Sequence, residues 1–185
     1  MKKLFAITLI LSLSSCSYFE LIKSQDKEKE ISFLEMAPKV DLKQFFRGEI
    51  ESFAIIKDDN DKIIGSYTGT MRGEWDENKG VLKQNFLYND GKRDNRTWLI
   101  TDNGDGTFGA VGHDVVESET GKQIGNAIQM PYSFAVLANG VKQKIRYEDN
   151  FYLVDSSSMI GVSVAKSSRG IVISKSLISL KKVGK

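Results

Sequence analysis

The chain has 185 residues, with 26 Lys plus Arg against 24 Asp plus Glu, one histidine, one cysteine and two prolines. So even a charge balance excludes the clustered basic surface on which nucleic-acid affinity rests, and a single cysteine excludes an intramolecular disulfide. One imidazole and one thiol also fall short of a metal-ligand set, so neither a metal nor another cofactor is expected.

The amino end has the three parts of a secretory signal: Lys2 and Lys3, an apolar run from Leu4 to Leu13, then the small residues Ser14 and Ser15. About ten apolar residues against the roughly 20 of a spanning helix make it a targeting segment rather than a membrane span. Leu13-Ser14-Ser15-Cys16 resembles the bacterial lipobox, in which the chain is cut before a cysteine that carries acyl chains. Two or three such chains, at about 0.8 kcal/mol per buried methylene, fix a protein to a bilayer. Ser17, where Asp would retain the protein, resembles lipoproteins sorted to the periplasmic face of a Gram-negative outer membrane. Residues 1–15 are read as a lipoprotein signal peptide, 16–38 as the acylated Cys16 and a tether, and 39–185 as one domain. Loss of Lys2 and Lys3 leaves 24 charges of each sign, so the precursor's positive excess argues for no partner.

The first mature stretch, Ser17 to Glu30, ends in charge and suits a tether. Asp41 to Phe46 predicts a short helical turn, capped by Asp41 and stopped by Gly48. From there the period changes to two. Between Gly65 and Trp75, Ser66, Thr68, Thr70, Arg72 and Glu74 alternate with Tyr67, Met71, Trp75 and glycines, the pattern of a half-buried antiparallel strand. Glycines in such a strand mark a bend or the close approach of another group. Further strands are predicted at about 48–57, 81–88, 95–101, 107–113, 126–137, 141–148, 150–154, 159–166 and 171–180. Turn clusters separate them, among them Asp58-Asp59-Asn60-Asp61, Asn89-Asp90-Gly91, Asn103-Gly104-Asp105-Gly106, Asn139-Gly140 and Asp155-Ser156-Ser157. The fold class is therefore all-β: an antiparallel up-and-down, lipocalin-like barrel of about 8–10 strands with a short N-terminal helical turn, closed because so many strands curl. An outer-membrane pore is set aside, since several strands are shorter than the roughly 9–11 residues needed and few carry an unbroken apolar face.

Gly73 to Trp98, GEWDENKGVLKQNFLYNDGKRDNRTW, and Asp114 to Ala127, DVVESETGKQIGNA, resemble the proteobacterial lipoproteins grouped as domain of unknown function 3833. The matching positions include Gly73, Trp75, Phe86, Asp90-Gly91, Arg96, Trp98, Asp114, Gly125-Asn126-Ala127 and Tyr132, and the likeness extends over nearly the whole mature chain, lipobox included. It departs near the carboxyl end, where the family's Asp-Asp-Trp-Met-Tyr-Leu stands here as Glu148-Asp149-Asn150-Phe151-Tyr152-Leu153 and its Asn-Arg pair as Gly161-Val162. The resemblance implies a lipocalin-like fold. Members encoded near fatty-acyl-modifying enzymes add the implication of a lipid ligand.

Catalytic chemistry is thin. His113 beside Asp114 reads as a turn or edge histidine, no serine lies in a G-x-S-x-G elbow, and both Gly104-Asp105-Gly106 and Gly121 to Gly125 read as turns rather than phosphate loops. Arg96 and Trp98, two residues apart, share one strand face. Arg96 either meets an anionic head group or pairs with Asp114 or Asp90 to close a barrel end, and the ion pair is the preferred reading. Tyr67, Trp75, Phe86, Trp98 and Tyr132 either fill the barrel or line a cavity, and Asn126 reads as a bend that satisfies backbone groups. With Arg96 and Asp114 these make up the candidate ligand site. The leading function is non-enzymatic: a membrane-anchored barrel that holds a small hydrophobic or acyl ligand. The alternatives are a filled barrel docking a protein partner of unspecified identity, and, third, an enzyme or enzyme accessory acting on lipid. A cavity of about 300 Å³ or more favours binding.

Overall fold

The computed structural model of the protein describes residues 36–138 and 140–184, all within one compact unit. The signal segment, Cys16 and the tether up to residue 35 lie outside the described residues. The chain enters at one end of the domain with the expected helical turn, α1 (Leu42–Phe45). Asp41 Oδ1 accepts from the Gln44 amide at 2.9 Å, which satisfies one of the helix's free N–H groups. Gly48, at φ +87°, then turns the chain into the first strand.

Eleven strands follow: β1 (Gly48–Lys57), β2 (Ile63–Asp76), β3 (Lys79–Tyr88), β4 (Arg93–Asp102), β5 (Thr107–Gly112), β6 (Val115–Ser118), β7 (Gly121–Ile124), β8 (Ala127–Ala138), β9 (Val141–Asp155), β10 (Ser158–Ser167) and β11 (Val172–Val183). Each pairs antiparallel with its neighbours, and β1 pairs with β11 to close the ring. β6 and β7 lie end to end along one edge of β8, β6 against Tyr132 to Phe134 and β7 against Ala127 to Gln129. They act as one interrupted strand, so the barrel is a closed ring of ten, and among the described residues the chain adopts the expected all-β up-and-down architecture with one short helical turn.

Aspartates organise the turns as the clusters suggest. Asp58 accepts from the amides of Asn60 and Lys62, Asp90 from Lys92, Asp105 from Thr107 and Asp155 from Ser157, each replacing a ladder bond that the reversing chain cannot make. Two readings need correction. The segments 141–148 and 150–154 are one strand, β9, because Asp149 and Asn150 alternate inward and outward instead of breaking the ladder. Residues 121–124 are the strand β7, so only Gly125 of that glycine cluster turns the chain. Val115–Ser118 escaped the sequence reading because a four-residue, largely exposed strand carries almost no periodic signal.

Inward glycines make room for specific neighbours. A Cβ on Gly73 would overlap the carbonyl oxygen of Phe46, so this glycine lets the end of α1 sit directly on β2. Elsewhere an aromatic ring lies over its cross-strand glycine: Trp75 on Gly80, Phe108 on Gly121 and Phe151 on Gly161.

α1 plugs the barrel. Leu42, Phe45 and Phe46 are buried, each worth about 1.5–3 kcal/mol of apolar transfer. The Leu42 amide donates to Gln123 Oε1 and the Val40 amide to Gly125 O. Lys182 Nζ, on β11, donates to the carbonyls of Gln44, Phe45 and Arg47 at 2.7–2.8 Å, neutralising the helix's C-terminal end. Lys43 pairs with the buried Asp102 of β4 at 3.2 Å.

Candidate ligand cavity

Above the plug the barrel is hollow. A cavity of about 210 Å³ rests on Leu42 and Phe46 as its floor, and Met71, Leu82, Ile100, Phe108 and Leu180 form its lower wall. These are buried, whereas Ile56, Tyr88, Arg96, Tyr147 and Ser174, further from the plug, are half-buried. The exposure gradient sets the mouth at the end opposite α1. Small inward side chains create the space. Ser163, Ser174 and Ser176 line it where larger side chains would fill the interior.

One side of the wall is aromatic. Trp98, Tyr132, Phe134 and Tyr147 pack edge-to-face or stacked at centroid distances of 4.9–6.2 Å, and Tyr67 packs on Phe86 and Tyr88. Trp98 Nε1 donates to Gln84 Oε1 at 3.0 Å, which fixes the indole against β3. The Arg96 guanidinium lies 4.0 Å from the Phe134 ring centroid, and its Nε donates to Asp114 Oδ2 at 3.1 Å. This ion pair stands where β4 extends past the end of β5, beside the most thinly paired seam of the barrel. Ser118 Oγ, donating to Ala110 O, bridges the same seam lower down.

Beside this aromatic wall runs a polar row. Asp149 of β9, Ser163 of β10 and Ser176 of β11 are register partners in turn, and all three face the cavity. Asp149 is only 7% exposed. Tyr132 donates its hydroxyl to Asp149 Oδ2 at 2.9 Å, while Oδ1 is buried without a hydrogen-bond partner among the described residues. Burial pushes the Asp149 carboxyl from 3.8 up to about 6, against the opposing pull of the Ser163 and Tyr132 hydroxyls and of the Arg96 charge. The same burial, with Asp149 close by, raises Tyr67, Tyr132 and Tyr147, so these phenols stay neutral donors at any physiological pH.

Five of the sequence candidates, Tyr67, Phe86, Arg96, Trp98 and Tyr132, line the cavity, and Asp114 touches it through Arg96. Trp75 and Asn126 lie near the plugged end, off the cavity. Asn126 Nδ2 donates to Leu153 O, and Leu153 N to Asn126 O, which locks the turn between β7 and β8 onto β9. Asp90 serves its own turn rather than Arg96. His113 is exposed in the turn between β5 and β6. The residues the sequence reading passed over are Asp149, Ser163 and Ser176. Their signal was an acid in step with Tyr147, Phe151 and Leu153 on an otherwise apolar face, hidden by the supposed break at that point. Among the described residues no three His, Cys, Asp or Glu side chains come together as metal ligands, and no helix is long and apolar enough to cross a membrane.

An antiparallel barrel of this strand number, plugged at one end and hollow inside, is the architecture of small β-barrels that can hold one small ligand. No curated protein matches the chain. The chain belongs to the family described as Protein of unknown function (DUF3833), whose model matches residues 12–182. Solved structures that share its fold include two at low sequence identity. One is a protein of unknown function from the DUF3598 family of Nostoc punctiforme, with a TM-score of 0.54, 14% identity, and coverage of 80% of this chain but 51% of that one, so the chain spans about half its length. The other is an S-type phycobiliprotein lyase from Guillardia theta, with a TM-score of 0.50, 8% identity, and coverage of 79% and 94%. At these identities the likeness is one of fold alone.

Proposed function

We propose that this protein is a non-enzymatic binding module, a lipocalin-like barrel that holds or carries a small hydrophobic molecule, acyl chains included, while acyl groups on Cys16 keep it at the periplasmic face of the outer membrane. The observation that carries the binding half is the cavity: apolar and aromatic walls, a closed floor, a mouth at the far end, and a few polar groups inside. Its volume, about 210 Å³, falls below the roughly 300 Å³ at which sites for drug-sized ligands begin. The ligand is accordingly compact, or only one end of it enters. Support for the anchor is the run Leu13-Ser14-Ser15-Cys16 with Ser17 behind it.

Native mass spectrometry of the full chain purified from its membrane fraction tests the binding reading. A small molecule of constant mass, released on unfolding, is the expected result; ligand-free protein from several preparations, together with no uptake of added hydrophobic probes, would refute it. A second reading rests on the outer surface, where Phe53, Ile160, Val162 and Leu177 are 38–53% exposed on the outward face of β1, β10 and β11, Val162 opposite Leu177 and Phe53 and Ile160 on either side of Ser179. That stripe suits a protein contact, and a barrel that docks a partner through it would leave the cavity without a ligand.

A further inference from the structure

We infer that the cavity recognises the head group of its ligand through Asp149, and that the head is a hydrogen-bond donor, best a primary ammonium on a short apolar body, rather than a carboxylate. The inference rests on the reading of the interior as a ligand site and goes on to name the ligand's polar chemistry. Three observations converge on it. Asp149 Oδ1 is buried on a cavity-lining side chain and completes no hydrogen bond among the described residues, the Ser163 hydroxyl lying near enough only to pull on the carboxyl, while its sister Oδ2 is already held by Tyr132 at 2.9 Å. A buried acceptor left in this state costs free energy that an incoming donor recovers.

The second observation is the charge balance. The cavity's cation, Arg96, is committed through Nε to Asp114 and seated on the Phe134 ring. Asp149 forms no salt bridge among the described residues, so once Arg96 is paired with Asp114 the carboxyl of Asp149 has no cation of its own. A carboxylate ligand would deepen that deficit; an ammonium removes it. Third, the surroundings of Asp149 suit a cation. The stacked rings of Tyr132 and Tyr147, 5.4 Å apart, stand beside it, and aromatic faces attract ammonium groups. The hydroxyls of Ser163 and Ser176, on the adjoining strands, are in the same row and can accept the remaining ammonium protons.

Hexylamine, hexan-1-ol and hexanoate share one apolar body and differ in the head, so calorimetric titration of the full chain in a non-ionic detergent at pH 8 separates the cases. The expected order is hexylamine, then hexanol, then hexanoate, with the amine ahead of the carboxylate by roughly ten- to hundredfold, the worth of a charge-assisted hydrogen bond. Asp149→Asn should lose that tenfold or more for hexylamine and change hexanol by less than about threefold. A second readout needs no variant. In the wild-type protein hexylamine affinity should fall as the pH drops through about 6, because Asp149 is the group that takes up a proton there, while the phenols of Tyr67, Tyr132 and Tyr147, all raised by burial, stay neutral. Tightest binding by hexanoate, or an order unaltered in Asp149→Asn together with pH-independent amine binding, would overturn this inference and leave the ligand site standing. Binding of none of the three would overturn both.

Discussion

Replacing Asp149 by asparagine should make the protein's stability respond to pH in a way that only a buried, unpaired acid explains. The unfolded chain releases this proton near 3.8 and the folded chain at about 6. Below both values each state holds the proton and the group is neutral to stability. Between them the folded state binds more protons than the unfolded one, so stability falls as the pH rises, and above about 6 the full loss is in force. The gap between 3.8 and about 6, at about 1.4 kcal/mol per pH unit, amounts to about 3 kcal/mol. The asparagine side chain has nearly the same shape and no charge, so the Asp149→Asn variant escapes that loss. Glu117, Glu148, Asp105 and Asp155 are held below their usual values and contribute in the opposite sense, but they are common to both proteins and cancel in the difference. Urea unfolding of both at pH 4 and pH 8 measures it. The variant should gain about 2.5 kcal/mol on the wild type between the two, since pH 4 lies just above the unfolded value, or about 5–10 °C in melting temperature for a domain of this size. A difference constant to within about 0.5 kcal/mol would refute the reasoning, and with it the claim that Asp149 is buried without a salt-bridge partner.

Other perturbations test the plug, the ion pair and the anchor. Gly73→Ala should displace the Phe46 carbonyl and loosen α1, costing about 1–3 kcal/mol in denaturant unfolding, whereas the same change at Gly109, which has open space around it, should cost less. Arg96→Ala breaks a pair whose members are 18% and 32% exposed, so it should cost about 1–3 kcal/mol, less than a fully buried pair, and NMR titration should find the Asp149 carboxyl raised further, since the Arg96 charge opposes its rise. Cys16→Ala should leave an uncut precursor that takes up no alkyne-labelled fatty acid; a labelled variant would exclude Cys16 as the attachment point.

Much of the fold could be read from local chemistry. The alternation between Gly65 and Trp75, the aspartate-led turns and the Asp41 cap each act over a few residues, and each reappears in the structure. The shared face of Arg96 and Trp98 follows from strand geometry alone, and both do face the cavity. What was not legible depends on sums around the ring. Whether the barrel is hollow turns on which inward side chains of separate strands meet, as Ser163 meets Ser176 on one side and Asp149 on the other, and no single strand reveals that. Likewise, Trp75 and Asn126 look like equal members of the aromatic and polar stock until α1 is seen to plug the end at which they lie. Asp149 reads as a break between two strands because an acid is disfavoured inside one, and only the long pairing of β9 with β8 and β10 overrides that preference.

The central claim is that a small molecule enters the barrel, and Trp98 is placed to report it. The chain has two tryptophans, and of these Trp98 alone lines the cavity. In Trp75→Phe, titration with 6-bromohexan-1-ol, whose bromine quenches indole fluorescence on contact, should quench Trp98 saturably with one equivalent bound. Quenching that rises linearly without saturation, at the rate seen for a free tryptophan derivative in the same detergent, would contradict the claim.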